Sequence, residues 1–159
     1  MAQIGPPFDF SKLDAILDRI MSVPKKEVAV GFPTGSGQHD GKMNMATLGA
    51  IHDLGAPGAG IPERPFLRQS VVNRRKQYTL FLAQQLREAM RGAITIDQAY
   101  GRLGAIAASG AQVEITRPSP AFVPLKKRTI ARKGSSKPLI DTGHMRQAIS
   151  YVVRDAQKK

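Results

Sequence analysis

The longest regular stretch of the sequence is FLRQSVVNRRKQYTLFLAQQLREAMR, residues 66–91, and its pattern predicts a helix. We expect its buried side to carry the apolar residues that recur at helical spacing, namely Leu67, Val71, Tyr78, Leu82, Leu86 and Ala89. The other sides carry mostly arginine: Arg68, Arg75, Gln84, Arg87 and Arg91. Such a helix would be roughly 39 Å long, the full width of a small domain.

The segments that flank this helix carry clear start and stop signals. Residues 55–65 are rich in glycine and proline, so they predict an irregular turn, and Pro65 suits the first position of the long helix. Asn44 can cap a short helix that Gly55 closes, and Ser11 can cap another over 12–22. A further helix is predicted over 96–114, where many small residues would let a neighbouring helix approach closely.

Two segments alternate as strands with one buried face. One covers 27–32 and the other covers 149–153, while Pro33 through Gly41 reads as a loop. An isolated strand pair is marginal in water. We therefore expect either that residues 113–125 add strands or that neighbouring copies complete the sheet.

The predicted fold class is α+β in a single domain of 159 residues. A small mixed or antiparallel sheet packs with one long helix and two or three shorter helices. An N-terminal arm over 1–10 and a basic extended loop over 117–138 complete the prediction.

Positive charge is concentrated in the last quarter of the chain. The formal net charge is +12, and residues 117–159 hold eleven Lys and Arg against two acids. Such a field attracts polyanions or an acidic protein face. The prolines and the absence of periodicity over 117–138 are typical of a binding loop or a disordered segment.

The bases of this loop have three possible uses: contact with DNA, docking on an acidic protein, or simple solvation. The residues concerned are Lys126, Lys127, Arg128, Arg132, Lys133 and Lys137. Phe122 is the nearest aromatic residue, so stacking of single-stranded bases is poorly supported.

The sequence contains no constellation typical of catalysis or metal binding. His39, His52 and His144 lack a spacing that places two ligands on one face, and Gly35-Ser36-Gly37 lacks the lysine of a phosphate-binding loop. The chain has no cysteine, which excludes disulfides and thiolate chemistry. We therefore expect no enzymatic activity, no cofactor and no metal.

The sequence also lacks the signals of membrane insertion and secretion. No apolar run reaches the roughly 18 residues that a spanning helix needs, and the first residues carry no secretion signal. We expect a protein without a membrane partner, kept in the cytoplasm unless it is packaged into a particle.

Two ordered groups of residues carry a family resemblance. The first is VAVGF at 28–32, followed by AIHDLG at 50–55 and IPERPFLR at 61–68. The second is KPLIDTGHMR at 137–146, with Ala148 and Ile149 directly behind it. In this order they resemble the virion-morphogenesis and tail-completion proteins of tailed bacteriophages, which include tail terminators and head–tail joining proteins. The stretch RTIARKG at 128–134 is similar to the Mu-like branch.

The resemblance covers roughly residues 27–154 and implies a structural role. It implies an α+β subunit without catalytic residues that assembles as a ring, typically of six copies, on the last ring of the tail tube. The ring would lie in the virion at the tail–neck junction, assembled in the host cytoplasm, in contact with tail-tube and neck or connector proteins and near genomic DNA. The many small residues of 96–114 depart from the family pattern.

The residues expected at subunit or partner interfaces lie in the two resembling groups. They are Arg64, Phe66, Arg68, Leu139, Asp141, His144 and Arg146. Arginine and phenylalanine are enriched in interface cores. The first group can equally be a well-made helix start, and the second a strand-to-turn cap.

Two other functions remain open at this point. One is a neck stopper or adaptor bound to the portal, and the other is a small basic DNA-binding protein. The first differs only in position along the virion axis, whereas the second would rely on phosphate contacts by the basic loop.

Overall fold

The computed structural model describes residues 14, 18, 25–39, 43–118 and 120–156. The predicted arm over 1–10 lies outside the described residues. Of the predicted helix over 12–22, only Asp14 and Asp18 are described, and both are helical.

The described elements form an α+β fold, as predicted. The strands are β1 (Lys26–Gly31), β2 (Gln38–His39), β3 (Met43–Asn44) and β4 (Ser150–Asp155). The helices are α1 (Met45–Leu54), α2 (Phe66–Met90), α3 (Ile96–Thr116), α4 (Lys127–Lys133) and α5 (His144–Gln147), with a 3₁₀ turn at Pro57–Ala59. The longest helix, α2, and the helix α3 lie close to the ranges predicted for them, 66–91 and 96–114.

The sheet is antiparallel and joins the two ends of the described chain. β1 pairs with β4 along its whole length, with Val28 opposite Val153 and Val30 opposite Tyr151. Helix α3 packs on both strands. Residues 113–125 add no strand within the described ranges, so that prediction is wrong.

The predicted loop, Pro33 through Gly41, contains the short strand β2. β2 pairs with β3 in antiparallel register, with Gln38 opposite Asn44. Asn44 then caps α1, because its side-chain oxygen accepts a hydrogen bond from the Thr47 N–H at 2.7 Å. The predicted cap is confirmed, and Gly55 closes this helix.

The buried side of α2 matches the prediction in part: Tyr78 is buried, and Leu67, Leu82, Leu86 and Ala89 are partly buried. Its buried residues are Phe66, Ser70, Tyr78 and Gln85, whereas Val71 is half exposed. Gln85 can be buried because α3 carries a partner for it: Arg102 donates a hydrogen bond to the Gln85 side chain at 2.9 Å. Hydrophobic periodicity cannot detect such positions.

The prediction of a basic extended loop over 117–138 is wrong in part, since α4 lies within it. A helix of seven residues is too short to display periodicity, and Gly134 ends it in the left-handed conformation (φ 69°) by donating its N–H to the Ile130 carbonyl. Phe122 is also buried in the core. The segment therefore packs against the body of the protein at Phe122.

One hydrophobic cluster holds these elements together. Phe66 is fully buried and meets Phe32 edge to face, with 6.3 Å between ring centroids. The other buried members are Met45, Ala108, Ala111, Ile115, Phe122, Leu139, Met145 and Ile149. The core thus joins α1, α2, α3, the 122–145 region and the residue that precedes β4.

The small residues of α3 allow the close approach that the sequence predicted. A Cβ atom on Gly104 would lie 2.1 Å from Cδ2 of Tyr151, and one on Gly110 would lie 2.1 Å from the Tyr78 hydroxyl oxygen. Glycine at these positions lets α3 contact the sheet on one side and α2 on the other.

This packing predicts that alanine at position 104 destabilises the protein whereas alanine at position 101 stabilises it. We expect Gly104→Ala to lower the free energy of unfolding by about 1 kcal/mol, because overpacking against the Tyr151 ring exceeds the gain in helix propensity. Gly101→Ala should raise it by about 0.5–1 kcal/mol, because its Cβ would meet only the Tyr151 hydroxyl at 3.8 Å. Urea denaturation measures both, and equal effects would contradict this packing.

Candidate partner-binding groove

A groove of about 610 Å³ opens where distant parts of the chain meet. Its walls come from the α1 helix, the turn that precedes α2, residues 123–126, three residues of α4 (Thr129, Arg132 and Lys133) and most of residues 138–145. The two groups of residues that carry the family resemblance therefore border the same groove, together with part of the basic segment.

Hydrogen bonds fix the turn that places Arg64 in this groove. Ala56 and Ile61 exchange two backbone hydrogen bonds, at 2.9 and 3.1 Å. The Arg64 N–H donates to the carbonyl of His52 at 2.7 Å. These bonds hold the turn against the end of α1, so the position of Arg64 depends on the glycine-rich path of the chain.

A carboxylate anchors the start of α2 beside this turn. Asp53 is buried, and its Oδ1 accepts a hydrogen bond from the Leu67 N–H at 2.9 Å. Its Oδ2 pairs with Nε of Arg68 at 3.2 Å, and Glu63 pairs with the same guanidinium at 3.1 Å. Acidic groups stabilise a helix N-terminus because unpaired N–H groups point towards them. The role of Asp53 was not predicted, although it lies only two residues before the closing glycine of α1.

Arg64 itself is almost completely buried, with 4% of its surface exposed. Its Nη2 donates to the carbonyl of Val123 at 3.4 Å, which is a long bond. Its Nε has no hydrogen-bond partner within the described residues. Burial lowers the pKa of the Arg64 guanidinium below its ordinary value, because the charged form loses hydration.

Lys133 brings a second cation to the groove. Its Nζ donates to the carbonyls of Lys137 and Pro138, both at 3.1 Å, and so ties α4 to the segment that follows. Burial lowers the pKa of Lys133, the charge of Asp141 opposes this shift, and the charge of Arg64 adds to it. The positive charges of Arg64 and Lys133 therefore repel each other across the groove.

The structure gathers about half of the predicted interface and docking residues. Those that line the groove are Arg64, Leu139, Asp141, His144, Lys126, Arg132 and Lys133. Phe66 lies in the core and Arg68 is engaged in ion pairs, so both serve the helix start within this chain. Exposed residues outside the lining are Arg146, Lys127, Arg128 and Lys137.

Apolar residues make up much of the remaining lining, and sequence reasoning missed most of them. They include Leu48, Ile61, Val123, Leu125 and Met145. His52 also lines the groove. An apolar surface with a few convergent polar groups is the usual composition of a binding site. Their convergence depends on contacts between distant segments, which no local pattern reports.

The described residues include no group of three His, Asp or Glu side chains placed to share a metal ion. In the same part of the chain, no helix is long and apolar enough to cross a membrane. No protein-family model, no curated protein and no solved structure matches the chain.

Proposed function

We propose that this chain is a structural protein of a tailed bacteriophage that forms a ring at the head-proximal end of the tail. The ring would end the growth of the tail tube and join the tail to the head. The observation that carries the proposal is the convergence of 61–64 and 138–145 on one groove. Both segments belong to the groups that resemble tail-completion proteins. A helix start and a strand cap with purely local roles would not need to meet in this way.

The sheet supports assembly with further copies. Within the described ranges, β1 and β4 pair only with each other, so each has one edge without a partner strand. Unpaired edges are templates for strands of another chain, and two-stranded sheets gain stability when extended. In the proposed ring, one subunit extends the sheet of the next, with six copies as the resemblance implies.

Loss of the gene tests the proposed role directly. In the phage that encodes this chain, we expect disruption to give unjoined heads and tails, with tubes of uneven length. Adding the purified protein to that lysate should restore infectious particles. Normal yields without the protein would refute the proposal.

The position in the neck needs a separate measurement. A tail terminator should co-purify with headless tails, whereas a stopper or adaptor should co-purify with tailless heads filled with DNA. Light scattering of the purified chain, alone and mixed with tail tubes, then reports whether rings form before or upon docking. A chain that stays monomeric and ignores tubes would refute the ring.

A DNA-binding role is the second candidate, favoured by the exposed bases of α4 that face away from the groove. Lys127 and Arg128 are the residues concerned. Phosphate contacts release counterions, so duplex affinity would fall steeply with salt. Lys127→Ala with Arg128→Ala should then flatten this salt dependence, whereas docking on protein through the groove predicts no change.

A further inference from the structure

The buried guanidinium of Arg64 lacks an ionic partner in the described part of the chain. No carboxylate lies within ion-pair distance, the single side-chain hydrogen bond is 3.4 Å long, and Nε makes none. Removing a charge from water costs several kcal/mol unless an opposite charge compensates for it. Arg64 thus borders the groove as an uncompensated cation.

Further basic residues around Arg64 increase the uncompensated positive charge of the groove. Among the described lining residues, Lys126, Arg132 and Lys133 are also basic, and Asp141 is the one acid. The side chain of Asp141 is exposed, and it acts on Lys133 through its charge. The groove therefore holds a positive potential that an entering anion would neutralise.

We propose that the groove binds an acidic segment of a partner protein, with a side-chain carboxylate of that segment paired to Arg64. Apolar side chains of the same segment would lie against Leu48, Ile61 and Met145, which line the groove. A carboxylate matches the planar fork of arginine with two parallel hydrogen bonds. This inference rests on the proposed function only for the identity of the partner as a neighbouring tail or neck protein.

Nucleic acid fits this groove less well than an acidic peptide. A duplex is a wide, hydrated rod whose phosphates contact exposed bases, whereas only 4% of Arg64 is exposed. Single strands gain affinity from stacking on aromatic side chains. Among the described residues that line the groove there is no phenylalanine or tyrosine, and Phe122 is buried in the core.

A second copy of the chain is also a poor occupant. The groove is lined by basic residues, so a second copy would have to supply an acidic side chain to it. Most described carboxylates already pair with bases of the same chain: Glu27, Asp53, Glu63, Glu88, Asp97, Glu114 and Asp155. Few acids are left to enter the groove of a neighbour.

A fluorescent peptide of alternating glutamate and leucine tests the proposal by anisotropy with the purified full chain. We expect Arg64→Met to weaken binding by about tenfold or more, as expected for loss of a charge-assisted hydrogen-bonded pair. Arg75→Met removes the same charge from an exposed site on α2 and should change affinity little. The same peptide with glutamine in place of glutamate should bind much more weakly.

Thermal unfolding of Arg64→Met provides the structural control. Because methionine replaces an uncompensated buried charge, we expect its Tm to equal or exceed that of the wild type. A large fall in Tm would assign Arg64 a structural role and overturn the proposal. A second pair of variants lies on α4. Arg132→Met should weaken peptide binding by about threefold, because Arg132 lines the groove. Arg128→Met should leave binding unchanged, because Arg128 is not among the lining residues.

Other outcomes identify other occupants. Equal loss of binding in Arg64→Met and Arg75→Met would indicate bulk charge attraction and overturn the proposal. Tighter binding of a short oligonucleotide that depends on Arg64 would do the same, as would a dimer that Arg64→Met dissociates. If the peptide fails to bind while the protein still restores phage particles, this proposal falls and the ring function stands. If the peptide binds through Arg64 but particles form without the protein, the ring function falls and the binding proposal stands.

Discussion

Replacing Arg74 by methionine is expected to lower the free energy of unfolding by about 3–5 kcal/mol. Arg74 lies on α2, and its Nη1 donates to Oε2 of Glu114 on α3 at 2.6 Å. The carboxylate side chain of Glu114 is 1% exposed. A carboxylate that stays buried after losing its cation carries most of the desolvation cost without the attraction that offset it. Urea denaturation measures the loss, provided that the m-value is unchanged.

The matched control is an ion pair on the surface of the sheet. Arg154 on β4 pairs with Glu27 on β1, and both side chains are substantially exposed. Water screens this pair, so Arg154→Met should cost no more than about 1 kcal/mol. Gln69 and Asn73 also donate to Oε1 of Glu114, at 2.7 and 3.3 Å. If Arg74→Met is as mild as the control, these amides are sufficient for the carboxylate and the ionic argument is wrong.

A double variant separates the buried charge from lost packing. Combining Arg74→Met with Glu114→Leu removes both charges and keeps similar volumes, and buried ion pairs can often be replaced by apolar residues at little cost. We expect the double variant to be more stable than Arg74→Met alone. The difference measures the penalty of a Glu114 carboxylate that has lost Arg74, because residues in contact do not contribute additively.

The elements of the fold were largely predictable because local signals specify them. Val30 of β1 packs against the core as predicted, and in β4 Tyr151 and Val153 are partly buried between exposed neighbours. Asn44 caps α1 as predicted. Thr95 forms a reciprocal cap with Gln98 at the start of α3, and the spacing of these two residues in the sequence is a signal for such a helix start.

Packing between α2 and α3 was not predictable in the same way. Periodicity assigned Val71 to the buried side of α2, but Ser70 and Gln85 are buried instead. The helix α3 offers small residues and the polar side chains of Arg102 and Glu114. Polar groups become favourable core residues when a partner satisfies them, and such partners are distant in sequence.

The candidate groove was predictable as a set of residues but not as a site. The sequence singled out Arg64 and Leu139 because their segments resemble a family, and Lys133 because of its charge. It could not indicate that these side chains border one groove or that Arg64 is buried. Burial changes what Arg64 implies about binding, because water solvates an exposed arginine whereas a buried arginine requires an anion.

The turn that positions Arg64 gives the second large prediction, at Gly55. This residue ends α1 with φ 76° and ψ 169°, a conformation that essentially only glycine adopts and that costs a residue with a side chain about 1–3 kcal/mol. A Cβ atom here would also lie 2.8 Å from the backbone nitrogen of Glu63 and 3.2 Å from the carbonyl oxygen of Ile61. Backbone atoms cannot swing aside as a flexible side chain can. We therefore expect Gly55→Ala to lower the free energy of unfolding by about 2–4 kcal/mol, measured in urea.

Gly60 provides a control in the same turn. Its φ of 66° is similar, but a Cβ atom there would point into open space. Gly60→Ala should therefore cost only the conformational strain, about 1–2 kcal/mol. Because Gly55→Ala pushes on Ile61 and Glu63, it should also displace Arg64 and weaken binding of the glutamate–leucine peptide in molecules that remain folded. If both alanine variants lose equal stability, the close approach between Gly55 and Glu63 does not constrain the turn, and the position of Arg64 must depend on the hydrogen bond to His52 instead.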